Sequence, residues 1–196
     1  MAEPETTFHG LPFTTAPGRV FTPRASTERL VDAALEHVDG KPLRVADVGT
    51  GAGVVAVSLA ALAPHLEVWA TDTNAAAVDL ARVNAERNGV AARVHVRHGN
   101  LLDPLEGPFD LIVANLPYLP DRLHRDEYDD EPDDAVYAPG DGLVYYRRLL
   151  DSCRDGKLVT PGGRVVIQFH RDVLAADCWQ LELLRQRLEE RRSLAA

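Results

Sequence analysis

Five short apolar segments recur along the chain, and nearly every gap between them has helical character. The segments are LRVADVG (43–49), LEVWATD (66–72), ARVHVRHG (92–99), whose apolar residues alternate with polar ones, FDLIVAN (109–115) and RVVIQF (164–169). The runs between them read as helices: VVAVSLAALA from Val54, residues 75–88, and GDGLVYYRRLLDSCRDG from Gly140. A further helix precedes the first strand. Ser26 or Thr27 can cap it, Glu28 suits its first turn, and Leu30, Val31, Ala34, Leu35 and Val38 share one face. Parallel neighbours need long crossovers, usually helical. The alternation therefore predicts an α/β fold, a doubly wound and mainly parallel sheet with helices on both faces. Ligands in such sheets sit at the carboxyl ends of the strands, where strand order reverses.

The chain has 196 residues, enough for one domain with its own core. Residues 1–25, rich in Pro, Thr and Gly, are expected to form an irregular arm, and 26–196 a single domain. The last 26 residues read as an amphipathic helix with Leu181, Leu184 and Leu188 along one side. Two cysteines, Cys153 and Cys178, make no disulfide framework, which points to a reducing cytoplasm. The first ten residues lack a secretory pattern, and the longest apolar run, from Val54 to Ala63, is too short to cross a bilayer. No histidine pair has metal-ligand spacing, so no metal is expected.

The net charge of −9 opposes loose association with nucleic acid. Residues 121–134 hold eight acids and two arginines, a net −6 in one segment. It reads as a solvated loop, or as a rim that repels phosphates and favours a neutral or basic partner.

Chemistry gathers at the strand ends. DVGTGAG (47–53) sets Gly49, Gly51 and Gly53 between a strand and a helix, where glycine admits positive φ and a close backbone approach. Asp72 ends the next strand and can take both hydroxyls of a ribose. A dinucleotide loop would need glycine at position 54, which is Val54. The loop with Asp47 before it instead suits S-adenosylmethionine (SAM), which carries cationic groups and no phosphate. Thr50 belongs to the same loop. Asn100 and Leu101 follow the third strand and are placed to flank the adenine.

NLPY (115–118) closes the fourth strand. Methyl transfer to an amide needs the nitrogen held in line, and positioning supplies much of the rate. The Asn115 side-chain carbonyl and the Leu116 main-chain carbonyl can accept the two N–H groups of that amide. Pro117 biases residue 116 toward an extended conformation. Tyr118 can stack on the planar group.

With these motifs in order, the chain resembles the HemK/PrmC-type protein-glutamine N5-methyltransferases, class I SAM-dependent enzymes with a Rossmann-like sheet. The matching pieces are VFTPRASTERLV (20–31), DVGTGAG (47–53), FDLIVANLPYLP (109–120), EPDDAVYAPGDGLVYYRRLL (131–150) and TPGGRVVIQF (160–169). The resemblance implies SAM contacts from Gly49, Thr50, Gly51, Asp72, Leu101 and Asn115. It also implies a glutamine side chain of a peptide release factor (the Gln of its GGQ motif) held by Asn115 to Tyr118. Residue 116 is Leu where that family has Pro. Asn-Leu-Pro-Tyr is the form found in rRNA adenine dimethyltransferases. Gln168-Phe169-His170 stands where that family has Glu-Ile-Gly, and neither the family's N-terminal helical domain nor its two last strands are expected within residues 1–196. An open sheet edge is then expected, covered by the C-terminal helix or by a second copy in a homodimer. Three other readings stay open: an N6-adenine methyltransferase on RNA or DNA, a small-molecule N-methyltransferase, and a SAM-binding subunit without activity.

Overall fold

The computed structural model describes residues 4–154 and 156–169. In chain order, β1 (Glu5–Phe8) and β2 (Leu11–Thr14) precede α1 (Glu28–Leu35), β3 (Leu43–Val48), α2 (Val54–Leu62), β4 (Leu66–Asp72), α3 (Ala75–Arg87) and β5 (Val94–His98). Then follow β6 (Phe109–Ala114), β7 (Leu119–Pro120), α4 (Asp133–Val136), β8 (Tyr137–Ala138), α5 (Val144–Ser152) and β9 (Val159–Ile167). The main sheet has the order β5-β4-β3-β6-β9, and every pair in it is parallel. Strand order reverses between β3 and β6, so the ends of these two strands define the crevice.

Both faces of this sheet are covered at its centre, so β6 is buried almost throughout, while the edge strand β5 alternates. Val45, Leu111 and Val113 enter one core with the residues of α2 and α3. Ala46, Val48, Ile112 and Ala114 enter the other, with Tyr146 and Leu149 of α5. Helix α2 is buried from Val54 to Ala60 because it packs on the sheet between α1 and α3. Its lack of a polar face follows from that position.

Three sequence expectations change. First, residues 5–14 are not irregular but form an antiparallel hairpin, Glu5↔Thr14 to Phe8↔Leu11. Its turn is His9-Gly10, both at positive φ (48° and 73°), as tight hairpin turns require. Phe8 and Phe13 are buried in the main core. The buried Asn84 amide of α3 fastens β2: it accepts from Thr14 N at 2.8 Å and donates to Thr14 O at 3.0 Å. Second, Thr27 makes no side-chain cap for α1, which begins from a 3-10 turn over Ala25–Thr27. Third, β9 begins at Val159, so the Pro-Gly-Gly stretch lies within the strand. Phe109 pairs with Val159 and Leu111 with Arg164, a bulge that absorbs the extra residues.

The expected C-terminal helix, with Leu181, Leu184 and Leu188, lies outside the described residues, as does Cys178. Among the described residues, no helix is long and apolar enough to cross a membrane.

Candidate active site

The loop after β3 is built by hydrogen bonds between strand ends. Gly49 N and Thr50 N both donate to Thr71 O of β4, each at 2.9 Å. Asp47 is 2% exposed, and its Oδ2 accepts from Thr50 Oγ1 at 2.6 Å and from Ala56 N of α2 at 3.1 Å. Burial pushes its carboxyl up to about 7, against the pull of the Thr50 and Ala56 hydrogen bonds. Asp47 Oδ1 takes no hydrogen bond among the described residues, so an acceptor remains for a cationic ligand group. Asp72 Oδ2 accepts from Gly51 N at 2.8 Å and its Oδ1 from Asn74 N at 2.9 Å. Burial raises its pKa as well.

The three loop glycines differ. A Cβ on Gly51 would meet no atom within 4 Å, so the space beside its Cα is open to a ligand, while its N–H is engaged by Asp72. Gly53 does not line the cavity: a Cβ there would lie 3.0 Å from Ala81, so its work is the close packing of α3. Gly49, at φ +73°, would bring a Cβ within 2.7 Å of Leu116 Cδ2. Gly49→Ala is expected to cost about 1–2 kcal/mol from the left-handed backbone and the displaced Leu116. Its Tm should fall by about 2–8 °C in calorimetry. An unchanged Tm would refute the crowding.

At the end of β6, Asn115 Nδ2 donates to Thr27 Oγ1 at 3.4 Å. That turns the amide so that its Oδ1 is left for another donor. Leu116 N donates to the hydroxyl of Tyr146 at 2.9 Å. The Tyr146 hydroxyl lies 2.8 Å from Gln168 O and 3.2 Å from Leu116 O. Burial pushes its phenol far above the ordinary range. The Phe169 ring packs tilted on Tyr146 at 4.4 Å and edge-on to Tyr118 at 6.2 Å. Tyr118 is pushed up to about 12, mainly by burial, and stays a neutral phenol at any working pH.

One cavity of about 1000 Å³ joins these pieces. Asp47, Gly49, Thr50, Gly51 and Asp72 line it, and so do Asn100, Leu101 and the four residues of NLPY. Leu101 holds φ +49°, and its carbonyl accepts from Thr71 Oγ1 at 2.8 Å, which fixes the turn at the cavity wall.

Sequence reasoning missed the other wall. The segment 21–24 lies under the acidic strap 121–134. Glu131 Oε2 accepts from Thr22 N at 2.8 Å, and Arg24 pairs with Glu131 at 3.4 Å. The Arg24 guanidinium lies 4.5 Å from the Tyr128 ring centre and 5.5 Å from that of Phe21. Most of the acids face solvent, but Glu131 and Asp134 belong to the cavity wall or its latch. His124, Asp126 and Asp129 on the strap bring ligand atoms within 4.8 Å of one another, all exposed, as acidic loops do without a metal.

The sequence profile of the methyltransferase small domain matches residues 21–127, from the latch segment through NLPY to the strap. The chain is 41% identical over 181 residues to a release factor glutamine methyltransferase of Deinococcus radiodurans, covering 86% of this chain and 63% of that protein. It is 39% identical over 170 residues to one of Moorella thermoacetica, covering 84% and 59%. The chain thus spans about three-fifths of the length of these curated relatives. A crystal structure of a ribosomal protein L11 methylase from Lactobacillus delbrueckii subsp. bulgaricus superposes with TM-score 0.58 at 27% identity, covering 89% of this chain and 72% of that one. A parallel sheet with a glycine loop at its switch point, and a profile match over more than half its length, are one finding: the chain belongs to the methyltransferase small domain family.

Proposed function

We propose that the chain is a SAM-dependent N-methyltransferase whose acceptor is an amide nitrogen, the glutamine side chain of a protein, with a peptide release factor as the substrate. One observation carries the reading: Asn115 and Leu116 line the same cavity as Gly51, Asp72 and the free oxygen of Asp47. The residues fit SAM. Gly51 leaves the space beside its Cα open, Asp47 Oδ1 is an unused acceptor for an ammonium, and the Asp72 oxygens keep lone pairs for ribose hydroxyls. When bound, SAM supplies an electrophilic methyl on a sulfonium.

The chain's own residues orient the acceptor. Asn115 Oδ1 and Leu116 O accept the two N–H groups of the amide, which fixes its plane and draws its lone pair out of conjugation. Tyr118 offers a neutral ring as a wall. The strap, latched by Arg24, narrows the mouth and limits water. Its exposed acids disfavour a phosphate-rich acceptor. This reading places the protein in the cytoplasm.

The test is incubation with SAM labelled on the methyl group and, in separate vessels, a release factor, total RNA, or small amides. Label is expected in the release factor and nowhere else, and should vanish when the glutamine of its GGQ motif is changed to alanine. Label in RNA alone, or in small amides alone, would transfer the reading to those acceptors.

A further inference from the structure

Past their last main-chain hydrogen bond, the segments leaving β6 and β9 are joined by a hydroxyl. The last register pair of these strands is Ala114↔Ile167, and Gln168 N still reaches Ala114 O at 3.1 Å. Beyond that point Pro117 has no N–H to give. The Tyr146 hydroxyl fills the gap, receiving Leu116 N–H at 2.9 Å and facing the carbonyls of Gln168 (2.8 Å) and Leu116 (3.2 Å). A hydroxyl has one proton and two lone pairs. It can accept from Leu116 while donating to only one of the two carbonyls at full strength.

We propose that Tyr146 is a positioning residue: it holds Leu116 in place through the amide N–H and turns its single proton between the Leu116 and Gln168 carbonyls as the methyl-accepting amide arrives. The inference rests on the function proposed above. With no acceptor present, the hydroxyl proton is shared, so the Leu116 carbonyl is not left orphaned in a residue only 5% exposed. When an acceptor N–H reaches that carbonyl, the proton commits to Gln168 O. Leu116 then changes donor without moving. No bond to the proton breaks; the hydroxyl only rotates. The Phe169 ring, 4.4 Å from Tyr146, keeps the phenol from swinging away, and its edge on Tyr118 ties the pocket wall to the same group.

A merely structural Tyr146 would weaken every ligand of the cavity together. A positioning role separates them. Tyr146→Phe is expected to lower kcat for release-factor methylation by about 100-fold, the scale for losing one preorganised polar contact. The dissociation constant for SAM, by calorimetry, should stay within about 3-fold, because the glycine loop does not use the hydroxyl. Tyr146→4-aminophenylalanine returns an N–H donor to the same place and is expected to recover most of the lost rate. A Tyr146→Phe enzyme with wild-type kcat, or one that loses SAM affinity in step with kcat, overturns the proposal. Wild-type protein gives an independent reading should that variant fail to fold. Tyrosine labelled with 13C at Cζ, placed at position 146 alone, is expected to shift when a release factor joins the protein loaded with S-adenosylhomocysteine. A stationary resonance overturns the switch. If wild type transfers no methyl to any glutamine, the functional reading falls and this inference with it. If wild type transfers and the variant does so equally well, only the inference falls.

Discussion

Replacing Asn115 with alanine is expected to lower methyl transfer by about 100- to 1000-fold while leaving SAM binding within about 3-fold of wild type. The asymmetry follows from where the side chain sits. Asn115 follows the last strand residue of β6, and its Nδ2 is tied to Thr27 Oγ1, so the carbonyl oxygen is the atom left to meet an acceptor. A reactive amide must be aligned with its lone pair exposed, and an alanine offers nothing to hold it. In the proposed reading the cofactor's anchors, by contrast, are Asp72 and the glycine loop, whose hydrogen bonds run to β4 and α2 and not to Asn115. Asn115→Asp refines the point. It keeps an acceptor oxygen but loses the donor to Thr27, and should fall between alanine and wild type. Rates come from labelled-methyl transfer and affinities from calorimetry. An alanine variant working at the wild-type rate would remove the assigned acceptor pocket altogether.

The sequence shows the sheet because burial on both faces forces its central strands to be largely apolar, and such runs stand out against the helices between them. It shows the glycine loop because positive φ at a strand–helix junction restricts the residue type. What it hides is tertiary. The hairpin at residues 5–14 escapes notice because Pro and Gly obscure the alternation, and because β2 is fastened by Asn84, 70 positions away. Gly53 looks like its neighbours in the loop, yet only the packing against Ala81 tells it from Gly51. Gly142, in the Asp-Gly-Leu motif, is required because a Cβ there would strike the Tyr118 carbonyl, a contact no local pattern announces. Tyr146 reads as one more residue on the buried face of α5. The only available signal was chemical: a tyrosine on a face otherwise made of leucines must find a partner for its hydroxyl. Arg24 was visible as part of a motif, but its latch to Glu131 spans 107 positions.

In the proposed reading, Asp47 makes pH a reporter of the cofactor site, with opposite signs for folding and for binding. Its carboxyl is raised from 3.8 to about 7 because burial penalises the charge. Between those values the folded protein keeps a proton that the unfolded chain has released. Folding is therefore favoured by this group below pH 4, and that contribution drains away as pH rises toward 7, on the order of 1 kcal/mol per pH unit. Asp72, raised in the same direction by burial, adds to the trend. A cation against Asp47 Oδ1 reverses the preference, since it binds the ionised form. SAM affinity is expected to rise through the interval from pH 5 to 7, up to about tenfold per unit, and to level off once Asp47 is ionised without help. Asp47→Asn keeps an acceptor for Thr50 and Ala56 but has no charge to lose. Its unfolding free energy in urea should vary less with pH, and its SAM affinity should be weak and nearly flat across the same interval. Wild-type affinity that is flat from pH 5 to 7, matching that of the asparagine variant, would mean that the buried carboxylate faces no cation and that the donor's ammonium lies elsewhere in the cavity.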